Sequence, residues 1–128
     1  MLAGCGERFG LDQGTAFRIA RGFGSGMGTG GTCGAVTGAF MVAGFLAGED
    51  PDERRARLRT YDLVREVARR FEARRGSTVC KTLLGGVDVS TEAGLREAQE
   101  RRLFREVCPG FVRDAEEILG ELLRGAPA

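Results

Sequence analysis

Residues 22–48 decide the fold, and they read GFGSGMGTGGTCGAVTGAFMVAGFLAG without a single charged side chain. The glycine-rich first half cannot form a stable helix in contact with lipid, and the apolar second half, residues 35–47, is shorter than the roughly 20 residues that a bilayer requires. We therefore predict a buried central helix after a glycine-rich loop, and no membrane span. Gly34 and Gly38 share one face of this helix and permit close packing, which predicts a homodimer if that face is exposed.

Helix-start and helix-end signals divide the rest of the chain. The predicted helices begin at Asp12, at Asp50 with Pro51, at Ser77, at Thr91 and at Cys108 with Pro109, and glycines 22, 76 and 85 follow the first three. The apolar stripe of the long second helix consists of Leu58, Tyr61, Val64, Val67 and Phe71. Gly94 weakens the prediction of the fourth helix, because glycine has a low helix propensity.

No segment shows the alternation of polar and apolar residues that is typical of a half-buried strand. We therefore predict an all-α fold, a compact bundle of four to five helices with a glycine-rich loop. The length of 128 residues suits one core and is too short for two, which predicts a single domain over residues 1–128.

Composition excludes several classes of function. The 19 basic and 18 acidic residues are intermixed, so no basic face for nucleic acid is expected. The chain has no histidine, which removes histidine-based catalytic triads, imidazole metal ligands and the CxxCH haem motif. Four cysteines and no secretory signal segment predict a protein of the reducing cytoplasm.

The glycine run offers backbone N–H groups that side chains do not cover. It contains a formal GxGxxG at residues 26–31, but no preceding strand or later acidic residue of a dinucleotide site, and no P-loop lysine follows. We expect a ligand or a metal cluster to approach this loop closely, and the alternative is a loop that only bends the chain. The predicted cofactor-binding residues are Gly26, Gly28, Gly30, Gly31 and Gly34.

Three of the four cysteines, Cys33, Cys80 and Cys108, lie where a predicted helix begins. The N–H groups and partial positive charge of a helix N-terminus favour a thiolate, the form that attacks disulfides and binds metals. The chain has no CxxC, so the fold must bring the cysteines together if they cooperate. Packing as small hydrophobic residues remains the alternative.

The motifs CGAVTG at residues 33–38, STVCKTLLG at 77–85 and CPGFV at 108–112 resemble, in order and approximate spacing, the bacterial C_GCAxxG_C_C family of redox-active proteins. The resemblance implies a helical domain for electron transfer, with Cys33, Cys80 and Cys108 as metal ligands or redox-active thiols. In one mechanism they ligate an iron–sulfur cluster, with zinc as a structural variant. In the other, two of them form a reversible disulfide, with Cys33 as the nucleophile.

The resemblance also implies one more cysteine, about two helical turns upstream of Cys5. The chain begins at Met1, so we expect either a late start or a partial replacement by Cys5, which is the fourth candidate ligand. Two hypotheses of different class follow. The first is a small redox protein that acts on an unidentified partner protein, with enzymatic activity left open. The second is a non-catalytic structural or interaction module whose cysteines pack together or bind zinc.

Overall fold

The computed structural model describes residues 1–125, and within them the fold is all-α, without a β-strand. The helices are α1 (Leu2–Gly6), α2 (Gln13–Ala20), α3 (Gly34–Ala47), α4 (Glu53–Arg75), α5 (Cys80–Leu83), α6 (Glu92–Glu100), α7 (Leu103–Glu106) and α8 (Cys108–Leu123). Short helical turns lie at Glu7–Phe9, Arg21–Phe23 and Gly26–Gly30. Five of the helices have eight or more residues, which confirms the predicted bundle of four to five helices. The domain prediction extends to residues 126–128, which lie outside the described residues.

Helix α3 is the centre of the molecule, as its lack of charge predicts. It packs against α4 and α8 and also contacts α1. The largest fully buried side chains come from these three long helices, and they are Phe71, Ile118, Val36, Val42 and Val67. Full burial of such a side chain stabilises the fold by about 1.5–3 kcal/mol. No helix in the described part of the chain is both long enough and apolar enough to cross a membrane.

Helix α4 begins two residues later than Asp50, because Asp52 is its cap and accepts hydrogen bonds from the N–H groups of Arg54 and Arg55. It ends at Gly76, as predicted, where the left-handed backbone lets the Gly76 N–H donate to the Glu72 carbonyl at 2.7 Å. Asp50 instead forms ion pairs with two arginines of the helix.

The predicted apolar stripe of α4 is wrong for its first two members. Leu58 and Tyr61 are about half exposed, whereas Val67 and Phe71 are fully buried. Helix α8 runs antiparallel beside α4, and its Glu121 already meets Arg70 near the end of α8. The first half of α4 therefore extends past the last turn of α8. For this reason α8 does not cover Leu58 and Tyr61.

Gly94 does not prevent α6 from forming. Thr91 caps this helix by accepting a hydrogen bond from the Gly94 N–H at 3.0 Å. A Cβ at Gly94 would lie 1.8 Å from the Asp88 carbonyl oxygen. The loop before α6 therefore approaches its first turn at a distance that only glycine permits.

The small-residue face of α3 is covered within the same chain. A Cβ on Gly38 would lie 2.7 Å from the Met1 Cβ, and one on Gly34 would lie 3.1 Å from the Phe23 carbonyl oxygen. The ring of Phe9 stacks on that of Phe45 farther along α3, with 5.1 Å between the centroids. The condition set for the predicted homodimer, an exposed face on α3, is therefore not met in this structure.

Candidate functional site

A single antiparallel bridge brings two of the predicted site cysteines together. Thr32 pairs with Val79, the Cys33 N–H donates to the Thr78 carbonyl at 2.8 Å, and the Cys80 N–H donates to the Gly31 carbonyl at 2.6 Å. Because side chains alternate between the two sides of a strand pair, Cys33 and Cys80 lie on the same side of the bridge. Burial agrees with this, since Cys80 is 7% exposed and Val79 on the other side is 40% exposed.

The third cysteine reaches the same place from α8. A cavity of about 360 Å³, called here the cysteine cavity, opens in front of the bridge. The residues that line it are Gly24, Ser25, Cys33, Gly34, Ala35, Cys80, Phe104, Cys108 and Val112. Cys33, Cys80 and Cys108 are all unpaired thiols, although almost 50 residues separate the first from the second. The structure therefore brings together the three cysteines that the sequence nominated.

Cys5 does not line the cysteine cavity. Its sulfur lies 3.9 Å from the Met1 sulfur, and the carboxylate of Glu116 on α8 is among its charged neighbours. Burial, followed by the nearby Glu116, raises the pKa of the Cys5 thiol. The fourth predicted ligand is thus apart from the other three.

The predicted bias toward thiolates is not what the structure shows for the metal-free site. Burial raises the pKa of Cys33, although the backbone N–H groups of Ala35 and Val36 in the first turn of α3 lie near the thiol and act in the opposite direction. Burial, with Cys33, Cys108 and Asp88 nearby, raises the pKa of Cys80 to about 11. Burial destabilises the thiolate more than one helix N-terminus stabilises it. The thiols are therefore protonated at neutral pH.

The glycine run contributes to the site mainly through its shape. Gly34 lines the cysteine cavity, whereas Gly28 has open space around it. Gly26 lies behind Cys80, because a Cβ at Gly26 would be 2.9 Å from the Cys80 Cβ and 2.4 Å from the Gly31 nitrogen. Gly30 faces the Asp88 carboxylate and the Lys81 side chain. Of the five predicted glycines, Gly34 alone lines the cavity, whereas Gly26 and Gly31 lie at the bridge.

Sequence reasoning missed five residues of the cavity wall, which are Gly24, Ser25, Ala35, Phe104 and Val112. Gly24 and Ser25 belong to the same glycine-rich run, in which every second residue from 22 to 30 is glycine. Their position in this run is a signal that could have identified them. Ser25 has a left-handed backbone, with φ of 54°, which is uncommon for a residue other than glycine. Phe104 had no signal in the sequence, because the short helix α7 alone places it at the cavity.

The donor set suits a soft metal centre, although the thiols are not arranged around a point. Thiolate ligands favour zinc, copper(I) and iron–sulfur clusters. Among residues 1–125, no three histidine, cysteine or acidic side chains are close enough together to hold one metal ion. The three thiols instead line a cavity of about 360 Å³.

Comparison with known proteins finds one family model. A family model described as "Putative redox-active protein (C_GCAxxG_C_C)" matches residues 1–122. No curated protein and no solved structure matches the chain.

Proposed function

Since the chain belongs to the C_GCAxxG_C_C family, we propose that it is a redox protein in which Cys33, Cys80 and Cys108 ligate an iron–sulfur cluster. The observation that carries the proposal is the cysteine cavity, where three thiols from three separate segments meet. The cavity has a volume of about 360 Å³ and opens to solvent, so a group that bridges the three thiols has room to enter and bind. Three thiols lining one such space favour a bound group over cysteines that only pack.

The residues of the site have distinct roles in this proposal. A bound cluster would supply one-electron redox chemistry, and the three cysteines would hold it as thiolates. Because burial raises the pKa of these thiols, loading releases protons that the metal-free protein retains. The backbone N–H groups of Ala35 and Val36 act to lower the pKa of the Cys33 thiol, against the larger effect of burial, and N–H groups beside a ligating sulfur tune its electron density.

A fourth donor is needed for a cluster with four protein ligands. Ser25 has the one remaining side-chain oxygen in the wall of the cysteine cavity, as the structure describes it. Cys5 is outside that wall, so we favour an oxygen donor from Ser25 or solvent over Cys5. Four free thiols persist in a reducing compartment, and for this reason we propose a cytoplasmic protein.

The bridge supports a second candidate, a dithiol that cycles with a disulfide. Cys33 and Cys80 lie on the same side of the Thr32–Val79 pair, so they are the two cysteines best placed to bond to each other. Oxidation would remove two protons and two electrons from them and pass these to a disulfide of a partner protein, which becomes two thiols. Cys33 would be the attacking thiol, because the N–H groups in the first turn of α3 favour its thiolate form.

The test is anaerobic purification followed by iron and sulfide analysis and an absorption spectrum. We expect near-stoichiometric iron and sulfide in the unaltered chain and in Cys5→Ser, and loss of both in Cys33→Ser, Cys80→Ser and Cys108→Ser. Cys5→Ser is the matched control, because it removes a partly buried thiol outside the cavity. Loss of iron in Cys5→Ser with retention in Cys108→Ser would contradict the proposed ligand set.

A metal-free product would exclude the cluster and leave the dithiol to be tested. Thiol counts before and after chemical reduction then distinguish the two remaining functions. A gain of two thiols that Cys33→Ser and Cys80→Ser abolish would establish the disulfide. An unchanged count would support the packed, non-catalytic module.

A further inference from the structure

A second concave site shares a wall with the cysteine cavity. This arginine pocket has a volume of about 290 Å³, and Ala98, Gln99, Arg102, Phe104 and Arg105 line it. Phe104 belongs to both sites, and its side chain is 36% exposed. The arginine pocket and the cysteine cavity are therefore neighbours that share Phe104.

No ion pair among residues 1–125 neutralises the charges of the arginine pocket. Neither Arg102 nor Arg105 forms an ion pair among residues 1–125, whereas nine other arginines do. No acidic residue lines the pocket, and Glu106, next to Arg105 in the chain, is not part of its wall. Two guanidinium groups in a concave surface attract carboxylates, because each can donate two parallel hydrogen bonds.

The surroundings of the pocket have the composition of a protein interface. Leu95 lies one helical turn before Gln99 on α6, and it is 38% exposed. Exposed aromatic and aliphatic side chains beside arginines, without lysine in the pocket wall, are typical of the centre of protein interfaces. The buried cysteines Cys33 and Cys80 also have little contact with solvent, so electrons or disulfides have to be exchanged across a face beside them.

From these observations we propose that the arginine pocket is the docking site for an acidic partner protein, whose carboxylates bind Arg102 and Arg105 while its surface covers Phe104. The inference rests on the proposed redox function of the cysteine cavity and names the partner's chemistry. Charge complementarity accelerates the encounter of such partners about tenfold or more at low ionic strength, and salt screens the effect.

The test uses the thiols of the reduced, metal-free chain as reporters, in a Cys5→Ser background so that the response comes from the cavity. The probes are a short glutamate-rich peptide with one cysteine activated as a pyridyl disulfide, and the same peptide with glutamine in place of each glutamate. A cavity thiolate displaces the pyridinethiolate and forms a mixed disulfide with the peptide, and the released thiopyridone is measured by absorbance. We expect the acidic peptide to react about tenfold faster at low ionic strength, with the preference lost at high salt.

The double variant Arg102→Gln/Arg105→Gln should abolish this preference and leave the rate of the glutamine peptide unchanged. The matched control is Arg54→Gln/Arg57→Gln, which removes two exposed charges without ion pairs among residues 1–125. These residues lie in the first turns of the 23-residue α4, about 30 Å from the other end of that helix. The far end, at Arg75, is the one that lies beside Gly110 of α8. The control should keep the full preference.

Each of four results would overturn the proposal. The acidic peptide shows no preference, neither peptide reacts, the preference survives in Arg102→Gln/Arg105→Gln, or the α4 control loses it equally. If only a small dianion, dithiobis(nitrobenzoate), shows the arginine-dependent preference, the pocket takes small anions and not a protein. The iron and sulfide content tests the redox function, and the peptide rates test the docking site. The two measurements are independent, so failure of the docking site can be distinguished from failure of the redox function.

Discussion

Gly26 and Cys80 approach so closely that a single added carbon at Gly26 would be 2.9 Å from the Cys80 Cβ. The same carbon would be 2.4 Å from the nitrogen of Gly31, whose carbonyl accepts the Cys80 N–H. The glycine loop therefore serves as the support of a cysteine. Its absence of side chains matters at Gly26 more than at Gly28, where open space surrounds the residue.

Gly26→Ala should destabilise the fold by about 3 kcal/mol and make Cys80 more accessible. Gly28→Ala is the control, because both glycines have positive φ, 62° and 70°, and both variants include the left-handed strain of about 1 kcal/mol. Urea unfolding gives the free energy of unfolding, and the alkylation rate of Cys80 reports the site. Equal losses in the two variants would show that strain alone, without the clash, accounts for the effect.

Gly38→Ala should loosen α1 from α3, since the new methyl group would be 2.7 Å from the Met1 Cβ. Gly44→Ala on the same helix meets no atom within 4 Å, so it should stabilise the fold by about 0.5–1 kcal/mol through helix propensity. Thermal unfolding of both variants tests the opposite signs. A stabilised Gly38→Ala would mean that α1 does not pack on this face.

Glu121→Gln should cost about 2 kcal/mol of stability, because the Glu121 carboxylate accepts hydrogen bonds from Arg70 and Arg74 and Arg70 is 9% exposed. Asp62→Asn is the comparison, since Asp62 and Arg65 form a pair that is largely exposed to solvent. That change should stay within about 0.5 kcal/mol. The denaturant midpoints of the two variants are compared. Similar shifts would contradict the view that the ion pair of the buried Arg70 contributes more to stability than an exposed pair.

Stability should fall as the pH is lowered from about 5 toward 2. Hydrogen bonds from Arg69 and then Arg70 lower the pKa of Glu66 to about 2, against about 4.3 in an unfolded chain. The folded form therefore binds fewer protons than the unfolded form between these two pKa values. The stabilisation is complete above the pKa of Glu66 in the unfolded chain, and it is lost as the pH falls through the pKa of Glu66 in the folded protein. Glu66→Gln should reduce this acid dependence in thermal unfolding at several pH values. An unchanged acid profile would assign the dependence to other carboxylates.

Much of the fold follows from local signals in the sequence. The uncharged residues 22–48 predicted the buried central helix. Asp12 and Thr91 cap the starts of α2 and α6, and Gly76 ends α4, as predicted. These predictions succeed because a cap or an apolar stripe depends on residues within one or two turns. The stripe failed at Leu58 and Tyr61, since their burial depends on where another helix ends.

The sequence by itself predicted the five longer helices, the family and the three cysteines that line the cavity, because each of these depends on neighbouring residues or on a linear motif. The tertiary structure alone decided that Thr32 pairs with Val79, that Cys5 is outside the cavity and that Phe104 is part of its wall. It also reversed the expected pKa of the thiols. The physical reason is that burial and contacts between distant segments arise from packing, which the local sequence around a cysteine does not contain.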